Sequence, residues 1–167
     1  HSENGHQYRI SGHNGHYGGS LDGVGLYCPD IPTPTHFLLE FKTHGYKSFS
    51  KLQKDGVQIS KNEHYVQCNQ YMAKMGLNWA LYGAVCKDND DLHLEVLRFD
   101  SANAERYSDR AGAIVASKEP PPKINESPAW FSCKWCKSFE ICHYGKPALK
   151  NCRTCQWSKP IENAQWG

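Results

Sequence analysis

A chain of 167 residues with 39% hydrophobic residues, nine Tyr and five Trp carries enough apolar material for one core and a small appendage. No apolar run approaches the ~20 residues that span a bilayer, which excludes a helical membrane anchor within this sequence. No basic stretch leads into an apolar one, so no secretory signal is expected, and a reducing, intracellular setting without a membrane partner follows. The net charge of +2 is too small to mark a nucleic-acid binder by itself. The chain opens on His1 rather than Met, so it is expected to be a processed or excised piece of a longer protein.

Residues 7–11 (QYRIS) and 16–27 (HYGGSLDGVGLY) read as two strands joined at Gly12–Gly15. The Pro-rich CPDIPTPT (28–35) is a connection. Residues 36–42 (HFLLEFK) form a short strand that ends in charge. Residues 43–60 are polar and Gly-punctuated, with Phe49, Leu52 and Val57 as anchors and no element assigned. Residues 62–75 (NEHYVQCNQYMAKM) predict a helix, capped by Asn62 and ended by Gly76. The runs 78–86 and 92–99, joined by KDNDD, predict a hairpin, and the Ala-rich 101–117 a second helix. EPPPKINESP then breaks regular structure. The expected division is a core over 1–118, a linker over 119–129 and a cysteine-rich module over 130–167. The order β-β-β-α-β-β-α predicts an α/β fold, a mixed sheet flanked by helices.

Charge and cysteine are concentrated at the C-terminus. Residues 118–160 hold eight Lys/Arg, Arg153 and Lys159 among them, against three acids; the remainder holds eleven against fourteen. Such a segment suits a phosphate backbone or a solubilising surface equally. Cys133, Cys136, Cys142, Cys152 and Cys155 fall within 23 residues, and two C-x-x-C pairs are separated by fifteen. That spacing fits a four-thiolate zinc site, with Cys142 and His143 as alternative ligands. Saturated by thiolates, such an ion is structural and supplies folding energy to a fragment too small for its own core. Trp130, Phe131, Trp135 and Trp157 are expected to pack the module onto the body, with stacking on unpaired bases as the other use. Cys28, Cys68 and Cys86 read as small buried hydrophobes.

The sharpest chemical signal is Asp22 in GGSLDGVG followed by Glu40-Phe41-Lys42. Side chains i and i+2 share one face of a strand, so Glu40 and Lys42 face one cleft. Phe41 is expected to face the core and offer its backbone carbonyl. Asp22, on a neighbouring strand loosened by Gly18, Gly19 and Gly23, completes a carboxylate pair able to hold Mg²⁺ or Mn²⁺. Lys42 can orient a water or offset charge on a phosphate. A lone D…E-x-K triplet also fits a surface ion pair. The next helix adds His64, Gln67 and Tyr71 at i, i+3 and i+7, a polar stripe that either lines the same cleft or faces solvent.

Together GGSLDGVG, LLEFKTH and HYVQCNQYM resemble the RecB-like and lambda-exonuclease-like branch of the PD-(D/E)XK nuclease superfamily. The likeness extends to phage-encoded exonucleases and CRISPR-associated nucleases with a cysteine-rich C-terminus, and covers about 7–100 and 130–155. It implies the restriction-endonuclease-like fold and an Mg²⁺- or Mn²⁺-dependent deoxyribonuclease. That enzyme would act on duplex ends or single-stranded DNA in recombination, repair or phage replication, in a bacterial or phage-infected cytoplasm. It carries over Asp22, Glu40 and Lys42 as catalytic, with Gln67 and Tyr71 as motif residues. Members often place a metal-binding His on a helix before the Asp. The nearest candidates here are His13 and His16, and His16 would share Asp22's face on a regular strand. Cys133, Cys136 and Cys142 also match a triad that holds a 4Fe–4S cluster in some of these nucleases, an alternative to zinc. A structure-specific endonuclease and a non-catalytic nucleic-acid-binding module remain the competing functions. Homo-oligomerisation and a recombination partner are left open.

Overall fold

The computed structural model describes Gly5 and residues 7–152, 155, 157 and 158. Strands β1 (Arg9–Gly12) and β2 (Tyr17–Ser20) pair antiparallel, with Arg9 opposite Ser20 and Gly12 opposite Tyr17. A 3₁₀ turn over His13–Gly15 joins them, with Asn14 in the left-handed region at φ 57°. The single strand expected over 16–27 is instead two, because Leu21 turns inward. Its side chain is fully buried and its N–H bonds the Tyr8 carbonyl at 2.9 Å. After this break the chain enters a different sheet as β3 (Gly23–Gly25).

That sheet runs β3-β4-β5-β6, with β4 at Phe37–His44, β5 at Trp79–Cys86 and β6 at Leu92–Arg98. β4 and β5 are parallel, and the outer pairs are antiparallel. Parallel neighbours need a crossover, and two helices supply it: α1 (Tyr46–Ser60) and α2 (Asn62–Met75). The fold is thus mixed α/β, a mixed sheet flanked by helices.

Helix α1 corrects the expectation of an irregular 43–60. Its regularity is interrupted at Gly56, at φ 71° and ψ 172°, which hides the helical period. The Val57 N–H, cut off from its helical acceptor, donates to both Glu95 carboxylate oxygens at 2.9 and 3.2 Å. Phe49, Leu52 and Val57 are buried as expected.

Helix α2 ends as expected at Gly76, in left-handed conformation; Asn62 begins the helix rather than capping it, and Lys61 holds the cap position. α2 packs between the sheet and α3 (Ser101–Ala116). Asn69 Oδ1 accepts from Asp100 N–H, and Gln70 Nε2 donates to the Ala104 carbonyl, both at 2.7 Å. Residues 119–129 hold no helix or strand, and short helices α4 (Phe131–Lys134) and α5 (Phe139–Tyr144) follow. Arg153, Thr154, Gln156 and residues 159–167, Lys159 among them, lie outside the described residues. Among the described residues no helix is long and apolar enough to cross a membrane.

Candidate active site

Strand β4 alternates from Leu38 onward. Leu38, Glu40, Lys42 and His44 face the helices, and Phe41 faces the opposite way. Glu40 is 1% exposed. Its Oε1 accepts from Lys42 Nζ, and its Oε2 is buried without a partner. Burial pushes the Glu40 carboxyl above its usual range; the Lys42 hydrogen bond and charge pull against that, and the Asp22 carboxylate adds to it. The two acids therefore feel one another.

Asp22 lies in the bend before β3, at the end of the ladder where Gly23 pairs with Leu39. Beyond that end the Phe41 N–H lacks a strand partner, and Asp22 Oδ2 accepts from it at 2.8 Å. This bond ties the exposed carboxylate to the edge of β4 beside Glu40. Phe41 itself corrects an expectation. Its ring points away from the core and is 55% exposed, covering Gly83, where a Cβ would lie 2.8 Å from the ring. The reason is strand parity: the helices cover the face that carries Glu40. Because the N–H and C=O of one strand residue share an edge, the Phe41 carbonyl opens on the edge that Asp22 occupies.

From α2, Tyr71 comes down on the β1–β2 hairpin, with its hydroxyl against Gly19. The close approach requires glycine there, since no side chain fits between. Gln67 Nε2 donates to Tyr71 Oη at 3.0 Å. Tyr71 is only 8% exposed, so the stripe is not a solvated face. Burial first, then the Tyr71 hydroxyl, pushes the Tyr17 hydroxyl up to about 12. His16 is not brought to this region by strand parity. It ends the 3₁₀ turn in helical conformation, and the chain breaks again at Leu21, so the shared face with Asp22 does not exist.

Sequence reasoning missed the residues that pack behind the pair. Tyr82 lies directly opposite Glu40 in the β4–β5 register and is fully buried. Its hydroxyl meets His64 Nδ1 at 2.8 Å and His44 Nε2 at 3.1 Å. His44 Nδ1 meets Ser48 Oγ at 3.2 Å, and Ser48 Oγ accepts from Lys61 Nζ at 2.6 Å. Burial lowers both imidazoles below the usual histidine value, and the Lys42 and Lys61 ammoniums lower them further, against Glu63. Burial likewise raises the Tyr82 hydroxyl. The available signal was period two: His44 follows Glu40 by four residues on one face of β4. Cys68 is buried beneath the site, its thiol pushed up to about 12 by burial and then by Glu40, which leaves it an inert hydrophobe.

At the C-terminus Cys133 is buried, while Cys136, Cys142, Cys152 and Cys155 are exposed. Nε2 of His143 is buried without a hydrogen-bond partner among the described residues. Among those residues, no three His, Cys, Asp or Glu side chains are gathered to hold a metal ion. Trp130, Phe131, Trp135 and Trp157 are exposed, Trp135 by 79%, so they do not pack the module onto the body as expected.

The residues present suit a divalent cation between β3 and β4. Glu40 Oε2 is a buried anionic oxygen lacking a donor, Asp22 is tied beside it, and the Phe41 carbonyl shares that edge. Such a cation would be held by Asp22, Glu40 and Phe41. No protein-family profile matches the chain, and no curated protein matches it significantly. Among solved structures it is similar to one described as "Crystal structure of SSO0001", at 15% identity and a TM-score of 0.45 over 75% of this chain. The chain spans about half (50%) of that protein's length.

Proposed function

We propose that the chain is a metal-dependent DNA nuclease of the PD-(D/E)XK type that acts as an exonuclease at DNA ends. The observation that supports it is the Glu40 carboxylate: buried, raised in pKa, bonded through one oxygen to Lys42, with the other oxygen unpartnered. The Lys42 pair offsets part of that cost, and a cation at the second oxygen would offset the rest.

A bound Mg²⁺ or Mn²⁺ would supply an activated water and neutralise charge on the phosphate. The chain's own groups do the rest. Asp22 and Glu40 bind, each oriented by a neighbour: Asp22 by the Phe41 N–H, Glu40 by Lys42. Lys42, held on the same face, presents an ammonium that orients the attacking water and offsets the charge of the pentavalent phosphate. Gln67 donates to Tyr71, which leaves the tyrosine's own hydrogen for a phosphate oxygen. Water adds at phosphorus, the P–O bond to the leaving strand breaks, and the leaving oxygen takes up a proton.

In the C-terminal module we assign structural zinc to Cys133, Cys136, Cys152 and Cys155, with Cys142 and His143 as alternative ligands and a 4Fe–4S cluster as the alternative metal group. The buried, unpartnered His143 Nε2 and the buried Cys133 support these two residues as donors. Lysines there would contact the DNA backbone.

One assay separates the competing functions. Protein is incubated with end-labelled linear duplex, closed circular duplex and single strand, in Mg²⁺ and in EDTA. End-dependent, Mg²⁺-dependent release of nucleotides supports the proposal. Nicking of the circle replaces it by an endonuclease. Binding without cleavage in Mg²⁺ and Mn²⁺ replaces it by a binding module.

A further inference from the structure

Five side chains behind the Glu40–Lys42 pair form an unbroken series of donors and acceptors, and the hydrolysis proposed above uses none of them. Lys61 fixes the donor at one end, and the direction taken has the Ser48 hydrogen toward His44, the arrangement in which every hydrogen of the series is used. Lysine only donates, so Lys61 Nζ gives a hydrogen to Ser48 Oγ at 2.6 Å. Ser48 gives its own to His44 Nδ1 at 3.2 Å. With Nδ1 accepting, a neutral His44 carries its hydrogen on Nε2 and donates to Tyr82 Oη at 3.1 Å. Tyr82 then donates to His64 Nδ1 at 2.8 Å. His64 is left with its hydrogen on Nε2. Among the described residues that nitrogen bonds nothing, and it is not one of the atoms sealed from solvent.

We infer that the His64 Nε2–H is a fixed donor to a non-bridging phosphate oxygen of the bound strand, with Tyr82, His44, Ser48 and Lys61 as positioning residues. This rests on the nuclease reading and adds a substrate contact to it. Three observations favour a phosphate. First, in this direction the free nitrogen offers a hydrogen rather than a lone pair: the ring's lone pair is spent on Tyr82, and a phosphate oxygen accepts where a metal would not. Second, His64 shares one face of α2 with Gln67 and Tyr71, and that face meets the sheet beside Lys42. Third, the Glu63 carboxylate acts most strongly among the single charges at His64, and two ammoniums, Lys42 and Lys61, stand against it as cations that a bound phosphate would share. Burial lowers both imidazoles below the usual histidine value and so favours the neutral ring, and the contact then supplies direction rather than charge.

The test compares wild type with His64→Ala, His64→Gln and Tyr82→Phe. Affinity for a fluorescent duplex is measured with Ca²⁺ replacing Mg²⁺, a probe intended to read binding apart from cleavage. His64→Ala is expected to weaken binding about tenfold, the value of one hydrogen bond to an ionised group. His64→Gln, whose amide Nε2 still donates, recovers most of it, and Tyr82→Phe falls between. The slope of log K against log salt stays at the wild-type value in His64→Ala, because no charge is removed; loss of a phosphate-paired cation would flatten it by about one. Nitrogen-15 spectra of the free wild type should show the Nε2–H tautomer at both His44 and His64, and Tyr82→Phe should release His64 into a mixture.

An Nδ1–H tautomer at His64, or wild-type affinity in a folded His64→Ala, overturns the inference. If His64→Ala does not fold, the wild-type tautomer and the His64→Gln and Tyr82→Phe affinities still decide it. The two readings fail separately. A wild type that cuts DNA while His64→Ala binds normally sinks the donor alone. A wild type that binds without cutting in Mg²⁺ sinks the hydrolysis, and the affinity series still judges the donor. A wild type that neither binds nor cuts sinks both.

Discussion

Gly19→Ala reaches the candidate site through packing alone. A Cβ at Gly19 would lie 2.8 Å from Tyr71 Cε1 and 2.9 Å from Cζ, with the hydroxyl nearer still. Ordinary carbon contacts are about 3.5–4.0 Å, so the ring or the hairpin must move by roughly 1 Å. Neither has room to spare. Tyr71 is buried, its neighbour Met72 is fully buried, and Ile10, opposite Gly19 in the hairpin, belongs to the core. Overpacking of this kind costs about 1–3 kcal/mol. At about 3 °C per kcal/mol for a chain of this size, Tm falls by roughly 3–9 °C. The displaced ring also carries the Gln67–Tyr71 pair off its position, and a shift of that size lowers kcat/KM on the order of tenfold to a hundredfold. The assay is thermal unfolding by circular dichroism beside Mg²⁺-dependent cleavage of labelled duplex. Gly45→Ala is the crowding control: its nearest neighbour, Asp88 Oδ2, is at an ordinary 3.6 Å, so only the cap change at the start of α1, about 1 kcal/mol at most, is expected. In a Tyr71→Ala background Gly19→Ala costs less, since its collision partner is gone. Wild-type Tm and wild-type cleavage in Gly19→Ala would refute the account of Tyr71 wedged on the hairpin.

Glu40→Gln should abolish cleavage, a loss of several kcal/mol in the barrier and hence on the order of a thousandfold, without lowering Tm, because the fold disfavours the charge that the reaction needs; a fall in both would make Glu40 a structural residue. Asp22→Asn should lose cleavage to a similar degree, on the order of a thousandfold, with Tm unchanged, since Asp22 is exposed and the amide oxygen still accepts from Phe41. His44 and His64 have folded values below 6.5, so between those values and 6.5 the unfolded chain binds more protons. Stability therefore rises with pH through that window and levels off above it. Urea midpoints at about pH 5.5 and about pH 7.5 check this, and a midpoint no lower at the acid end would contradict it. Elemental analysis should find about one zinc per chain, lost in Cys133→Ser and Cys155→Ser; brown protein with several irons would replace zinc by a cluster.

Much of this molecule could be read one residue at a time. The alternation of HFLLEFKTH places Glu40 and Lys42 on one face whatever surrounds them, because a strand has a period of two. Gly76 ends α2, and the hairpin of β5 and β6 follows from two β-rich runs around a polar turn, since caps and turns are decided within a few residues. Helix α1 escaped because Gly56 breaks its period, and the acceptor that compensates, Glu95, comes from a strand 38 residues away. The break at Leu21 likewise answers to burial and to the Tyr8 carbonyl, not to anything in GGSLDGVG. Which way Phe41 faces depended on which side of the sheet the helices cover, a choice that strand parity leaves open. Tyr82 meets Glu40 and His44 because β4 and β5 run parallel in that register, and it meets His64 because α2 packs over that face. Local preference is set by neighbours in sequence. The company a side chain keeps across a sheet is set by long-range pairing, and only the folded chain carries that information.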